Sequence, residues 1–175
     1  MKNYILFLLL FISFSAIAQD ENNKKMVTYL EANGTISYYS SVVDRMFDFM
    51  KKEYETKNVP DTVWSDLKSV KVDALNEITE LVAQVYEGHF TGPEIQEILN
   101  FYSTETGKKI TSQEELTEEE IQRRDIFYTS ALGQKISESA NSLNNVLQEI
   151  TQSWSADLFR LVTHKLEEKG YFKNE

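Results

Sequence analysis

The chain has 175 residues, a formal net charge of −10 and no cysteine. That length suits one domain, and an apolar share of 41% is enough to bury a core. An acidic surface repels nucleic acid and anionic lipid headgroups. The missing thiol excludes disulfides, thiolate metal sites, thiol catalysis and a cysteine-linked lipid anchor.

Met1-Lys2-Asn3 precedes an apolar run from Tyr4 to Phe14, followed by Ser15-Ala16-Ile17-Ala18. A basic start, a short apolar core and an Ala-x-Ala site describe a secretory signal peptide over 1–18, cut between Ala18 and Gln19. The run is shorter than the roughly 20 residues a spanning helix needs. The mature chain, 19–175, is expected as a single exported domain without a membrane span. Its expected compartment is the periplasm, with secretion as the alternative.

Met26, Val27 and Leu30 give a first short helical face that stops at Asn33-Gly34. Ile36, Tyr39, Val43, Met46, Phe47, Met50 and Tyr54 recur at steps of three and four, which predicts a second helix. Val59-Pro60 breaks it. From Asp61 to Glu87 there is neither Gly nor Pro, and Leu67, Ala74, Ile78, Leu81 and Val85 align along one seam. That predicts one long, half-buried helix ended by Gly88. A second long helix is expected over Gln134–Lys169, with Ile136, Leu143, Leu147, Ile150, Trp154, Leu158 and Leu161 near a 3.5 period. Its first half is rich in Ser and Asn, which compete with the helix backbone, so a kink is allowed there. Few breakers and no strand pattern predict an all-α helical bundle with a repeated helix-turn-helix unit and a long C-terminal helix.

The repeat is explicit. At an offset of 26, nine of the twenty positions from Thr91 to Ile110 recur in Thr117–Ile136. Each unit opens with Thr-x-x-Glu, a capping box in which Thr and Glu satisfy the first helical N–H groups reciprocally. Ile95/Ile121, Phe101-Tyr102/Phe127-Tyr128, Gly107/Gly133 and Lys109-Ile110/Lys135-Ile136 follow in register. Equivalent sequence predicts equivalent environment. Both Phe rings are expected buried against a long helix, and both Tyr hydroxyls at water or a hydrogen-bond partner. The glycine, five residues after each Tyr, allows close backbone approach or a bend.

The stretch Leu81–Thr91, running through Tyr86 and Phe90-Thr91 into Glu94 and Phe101-Tyr102-Ser103…Gly107-Lys108-Lys109, resembles the bacterial domain of unknown function DUF2059. That family shows a tyrosine, an "hFt-x-x-El" element and "FY-x-S-P-x-G-x-K". Val59-Pro60 with Trp64 fits upstream, and the family-like core spans about 59–136. The family proline after Ser is Thr104 here, which implies a softer helix break. The resemblance implies an exported, all-helical chain with no assigned activity.

Only two histidines occur, His89 and His164, and neither belongs to a His-x-x-x-His or Glu-x-x-His pair. No cofactor and no metal is therefore expected. No nucleophile elbow, Ser-x-x-Lys motif or phosphate-cradling loop is present. Glu118-Glu119-Glu120 reads as acids opening a helix, where the dipole favours them. The aromatics fall mostly near the apolar seams and read as core. Adjacent helical residues point about 100° apart, so each Phe-Tyr pair places one ring in the core and the other toward a groove or rim. Tyr86, His89, Tyr102 and Tyr128 are the candidate binding residues. No catalytic residue is assigned. The sequence reads as a non-catalytic binding or interaction module of the cell envelope, its partner an envelope protein. The alternatives are a carrier of hydrophobic ligands in an interhelical groove, and an enzyme with His89 as base beside Tyr86 and Glu87.

Overall fold

A computed structural model describes residues 21–173, so the leader and its cleavage site lie outside the described residues. Helix α1 spans 21–32. It is followed by α2 (Thr35–Glu53), a 3-10 turn (Glu55–Lys57), α3 (Asp61–Asp66), α4 (Lys68–His89), α5 (Gly92–Tyr102), α6 (Glu105–Ser112), α7 (Glu118–Thr129) and α8 (Ala131–Glu168). The described residues hold no strand, and the fold is all-α.

The turns form where the sequence marks them. Gly34 takes a φ of 81°, a left-handed conformation that glycine adopts without a steric penalty, and α2 starts from it. Asn58 closes the 3-10 turn at φ 49°, and Pro60 stands in the extended position before α3.

The core lies where α1, α2, α4 and α8 meet. Met26 and Leu30 of α1, Val43 and Met50 of α2, Ile78 and Val82 of α4, and Val162 and Leu166 of α8 are all buried. The Trp154 indole N–H donates to the Ala74 carbonyl at 3.1 Å and ties α8 to α4. Burying that N–H without a partner would cost about 1–3 kcal/mol.

Four features differ from the sequence reading. The expected Asp61–Glu87 helix is two helices that meet at Leu67, whose backbone leaves the regular helix at φ −75°, ψ −6°. Trp64, Leu67 and Val70 are all buried at steps of three. Such a row rotates around a straight 3.6-residue helix, and the break returns Trp64 to the core, where it meets Tyr54 edge-on at 6.5 Å. The helix also runs through Gly88 to His89 and stops where Phe90 turns extended. The last helix begins at Ala131 rather than Gln134 and is continuous through its Ser/Asn stretch, about 57 Å at ~1.5 Å per residue. Its buried row steps by four through Trp154, Leu158, Val162 and Leu166, which leaves Leu161 on the surface.

Candidate functional site

The two repeated segments form α5–α6 and α7 with the start of α8, and their local geometry matches in detail. Glu94 accepts the Thr91 backbone N–H at 2.7 Å, and Glu120 accepts that of Thr117 at 2.8 Å. The Thr104 hydroxyl donates to the Phe101 carbonyl and accepts from the Gly107 N–H. The Ser130 hydroxyl does the same with Phe127 and Gly133. The helix restart therefore falls on Thr104 and Ser130. A Cβ on Gly107 would lie 2.4 Å from the Phe101 carbonyl oxygen, and one on Gly133 would lie 2.3 Å from that of Phe127. Both glycines are thus required by close backbone approach.

Contacts between the units follow one rule. Phe101 stacks on Phe127, ring on ring at 3.8 Å and 3°. The Tyr102 and Tyr128 hydroxyls share a hydrogen bond of 3.0 Å. Glu94 of the first unit binds Lys135 of the second at 2.7 Å. Glu120 of the second binds Lys109 of the first at 2.9 Å. Equivalent residues meet each other and unlike residues meet reciprocally, which is the contact pattern of a two-fold axis. The two rings pack against one another, a contact the sequence did not suggest, and of the two only Phe127 is buried in the core, Phe101 lying half-buried against it. The environments also diverge outside the axis. Ile95 is 1% exposed, but Ile121 is 37% exposed. Ile95 belongs to the core shared with the α1–α4 body, whereas Ile121 does not.

Three of the four candidate residues come together. Tyr86 meets Tyr29 edge-on at 5.8 Å, Tyr29 meets Tyr102 at 5.3 Å, and Tyr102 joins Tyr128 through the hydroxyl pair. Burial pushes the Tyr86 and Tyr102 phenols well above the ordinary range, with nearby tyrosines adding to the shift. Burial also raises Tyr29. These hydroxyls stay protonated and serve as hydrogen-bond partners. His89 lies apart, beside Phe90, and its Nδ1 is 2.8 Å from the Val85 carbonyl one turn back. Burial, with Glu80 nearby, raises the Glu87 carboxyl. Tyr29, the hub of the cluster, escaped the sequence reading. Its signal was present: Met26, Tyr29 and Leu30 are the buried positions of α1, and Val27 is only half-buried. Among the described residues no group of three His, Asp or Glu is placed to hold a metal ion.

A second surface runs along the seam between α2 and α8. Tyr38 is 58% exposed and Phe49 is 51% exposed, so these two rings are not core. Phe49 faces Phe159 of α8 at 6.5 Å. Tyr38 is held edge-on by Tyr39 at 5.4 Å, and the Tyr39 hydroxyl bonds that of Thr151 at 2.8 Å. Tyr38 and Phe49 are eleven residues apart, three helical turns, so both lie on one face about 16 Å from each other. Beside Tyr38 lies an open groove of about 590 Å3, lined by Leu147, Gln148, Thr151, Gln152 and Ser155. Another groove, about 400 Å3, holds Phe47 and Trp64 among Asp44, Asp48, Asp61 and Lys71. Among the described residues no helix is long and apolar enough to cross a membrane.

A family model described as "Uncharacterized protein conserved in bacteria (DUF2059)" matches the chain twice, over residues 76–115 and 113–160. Each match contains one of the two units. The chain matches no curated protein and no solved structure at a significant level.

Proposed function

Since the chain belongs to the DUF2059 family over residues 76–160, a family with no described activity, we propose its role from its own geometry: a non-catalytic helical module that binds a protein partner of the bacterial envelope through the α2–α8 face. The observation that carries this reading is the Phe49–Phe159 pair. Phe49 stands half out of the fold beside Phe159 of α8. Exposed aromatic side chains grouped on one face are characteristic of association surfaces.

The groups first considered for chemistry support the same reading. Tyr86 and Tyr102 are held protonated, and the Tyr102 and Tyr128 hydroxyls engage each other. His89 is turned back onto its own helix. These four residues brace the module. The described grooves are open clefts with charged or polar walls, which favours a protein partner over a lipid that would remain half in water. The leader over 1–18 supports export to the periplasm.

The test is capture from envelope extract by the mature chain, beginning at Gln19, with mass spectrometry of bound proteins and lipids. One envelope protein is expected, lost with Phe49→Ser and kept with Tyr128→Phe, helicity being unchanged in both and the fold remaining intact at the assay temperature. Capture indifferent to Phe49→Ser overturns the assignment of the face. Stoichiometric lipid in place of protein establishes the carrier. A turnover abolished by His89→Ala at unchanged melting establishes an enzyme. The intact mass of the envelope species should begin at Gln19, and retention of residues 1–18 would refute export by cleavage.

A further inference from the structure

We propose that the Tyr38 end of the α2–α8 face is a binding site for an uncharged oligosaccharide. The inference rests on reading that face as a binding surface, and adds a ligand of a different class at the end away from Phe49.

The argument starts from charge. Of the residues in the chain, 26% are Asp, Glu, Lys or Arg. The groove beside Tyr38 has none among Tyr38, Leu147, Gln148, Thr151, Gln152 and Ser155. The other interhelical grooves are unlike it. The α2–α3 groove is lined by Asp44, Asp48, Lys51, Asp61 and Lys71, and the α4–α8 groove by Asp73, Glu77, Asp157 and Lys165. From Ser139 to Ala156, α8 carries a single charged side chain, Glu149. A neutral ligand is the complement of a neutral cleft in an otherwise charged surface, because the cleft offers an ion no counter-charge.

The functional groups present narrow the class. Gln148 and Gln152 are four apart and share one helix face. Each carboxamide offers two donors and an acceptor. Thr151 and Ser155 add hydroxyls on the adjoining row. Such groups match sugar hydroxyls, which both donate and accept. Tyr38 supplies an apolar ring face for the C–H side of a pyranose and a hydroxyl at its tip. The ring is positioned in advance, since Tyr39 packs against it and is itself tied to Thr151. Preorganisation of this kind lowers the ordering cost of binding. The cleft is shallow and open along the helix, which suits an extended chain of sugars rather than an enclosed small molecule.

The experiment uses isotopically labelled mature chain and NMR titration with two neutral probes, triacetylchitotriose and maltotriose, and an anionic control, trigalacturonate. Saturable shifts are expected from at least one neutral probe, confined to the amides of 147–155 and residues around Tyr38, and unchanged between low and high salt. Tyr38→Ala, a surface change that leaves melting intact, should weaken binding at least about tenfold, and Tyr38→Phe much less. Gln148→Ala with Gln152→Ala should do likewise. Absence of saturable shifts with both neutral probes, or equal binding by Tyr38→Ala, overturns the proposal. So does binding of trigalacturonate alone. Shifts of the same amides on concentrating the protein without sugar would assign the groove to a second copy of the chain instead. Because Phe49→Ser tests the protein partner and Tyr38→Ala the sugar, failure of either is distinguishable from failure of the other.

Discussion

Phe101 and Phe127 lie parallel, centroids 3.8 Å apart and planes within 3°, each the counterpart of the other across the two units. Phe127 is buried and Phe101 half-buried. Phe127→Ala is expected to cost about 3–5 kcal/mol, the range for a core ring, and Phe101→Ala less. Since both variants remove the same stack, the double variant should cost less than the two singles together, by about 0.5–1.5 kcal/mol. Denaturant titration of the three variants measures this. Simple additivity would mean that the rings act independently.

The Tyr102–Tyr128 hydroxyl pair gives a sharper version of the same test. Either Tyr→Phe change breaks one shared hydrogen bond and should cost about 1 kcal/mol. The double Phe variant should cost no more than a single one, because no unpaired hydroxyl then remains.

Gly107 and Gly133 sit inside helices, where replacement by Ala ordinarily stabilises by about 1 kcal/mol. Here the sign reverses. The added methyl would meet backbone oxygen at 2.4 Å and 2.3 Å, respectively. Each Gly→Ala variant should lose about 1–3 kcal/mol through forced backbone displacement. Calorimetric melting reads the sign directly.

Acid should unfold the module through the two bridges. The Lys135 ammonium first, then the Thr91 backbone N–H, holds the Glu94 carboxyl down to about 2. The Thr117 backbone N–H first, then Lys109, holds Glu120 down to about 2. Both native values lie below the ordinary 4.5. The unfolded chain therefore binds protons first as pH falls. The stability contributed by these groups is complete above about pH 4.5, declines below it, and is lost by about pH 2. Glu94→Gln and Glu120→Gln should each flatten the dependence of melting temperature on pH across that window. Glu94 is partly exposed and Glu120 only 6% exposed, so salt should weaken the Glu94 contribution more than that of Glu120.

Much of the fold was legible because it rests on local rules. The α2 seam, the Thr-x-x-Glu caps and the close-approach glycines are set by residues within a few turns of one another. The break at Leu67 was not legible as a break, since 61–87 contains no helix-breaking residue. It arises from the need to bury Trp64, Leu67 and Val70 together. Leu161 and Val162 adjoin in sequence, and only the angle at which α8 crosses α4 decides which one is covered. The candidate site was legible in part. Tyr86, Tyr102 and Tyr128 do converge, but on Tyr29, whose role depends on where α1 packs. Tyr38 and Phe49 carry no sequence mark that separates them from Tyr39 and Phe47, because exposure depends on the position of α8.

The reciprocal contacts between the two units bear on how the chain tolerates being cut. Each unit presents to the other a surface held by a ring stack, a phenol pair and two ion pairs. The link between them is the short stretch 113–117, exposed except for Leu116. Nicking it leaves α6 on α7 and α4 on α8, the packings that hold the fragments together. Two fragments that meet at that link should therefore find each other as a heterodimer, so that the molecule behaves as a complex whose subunits share one backbone.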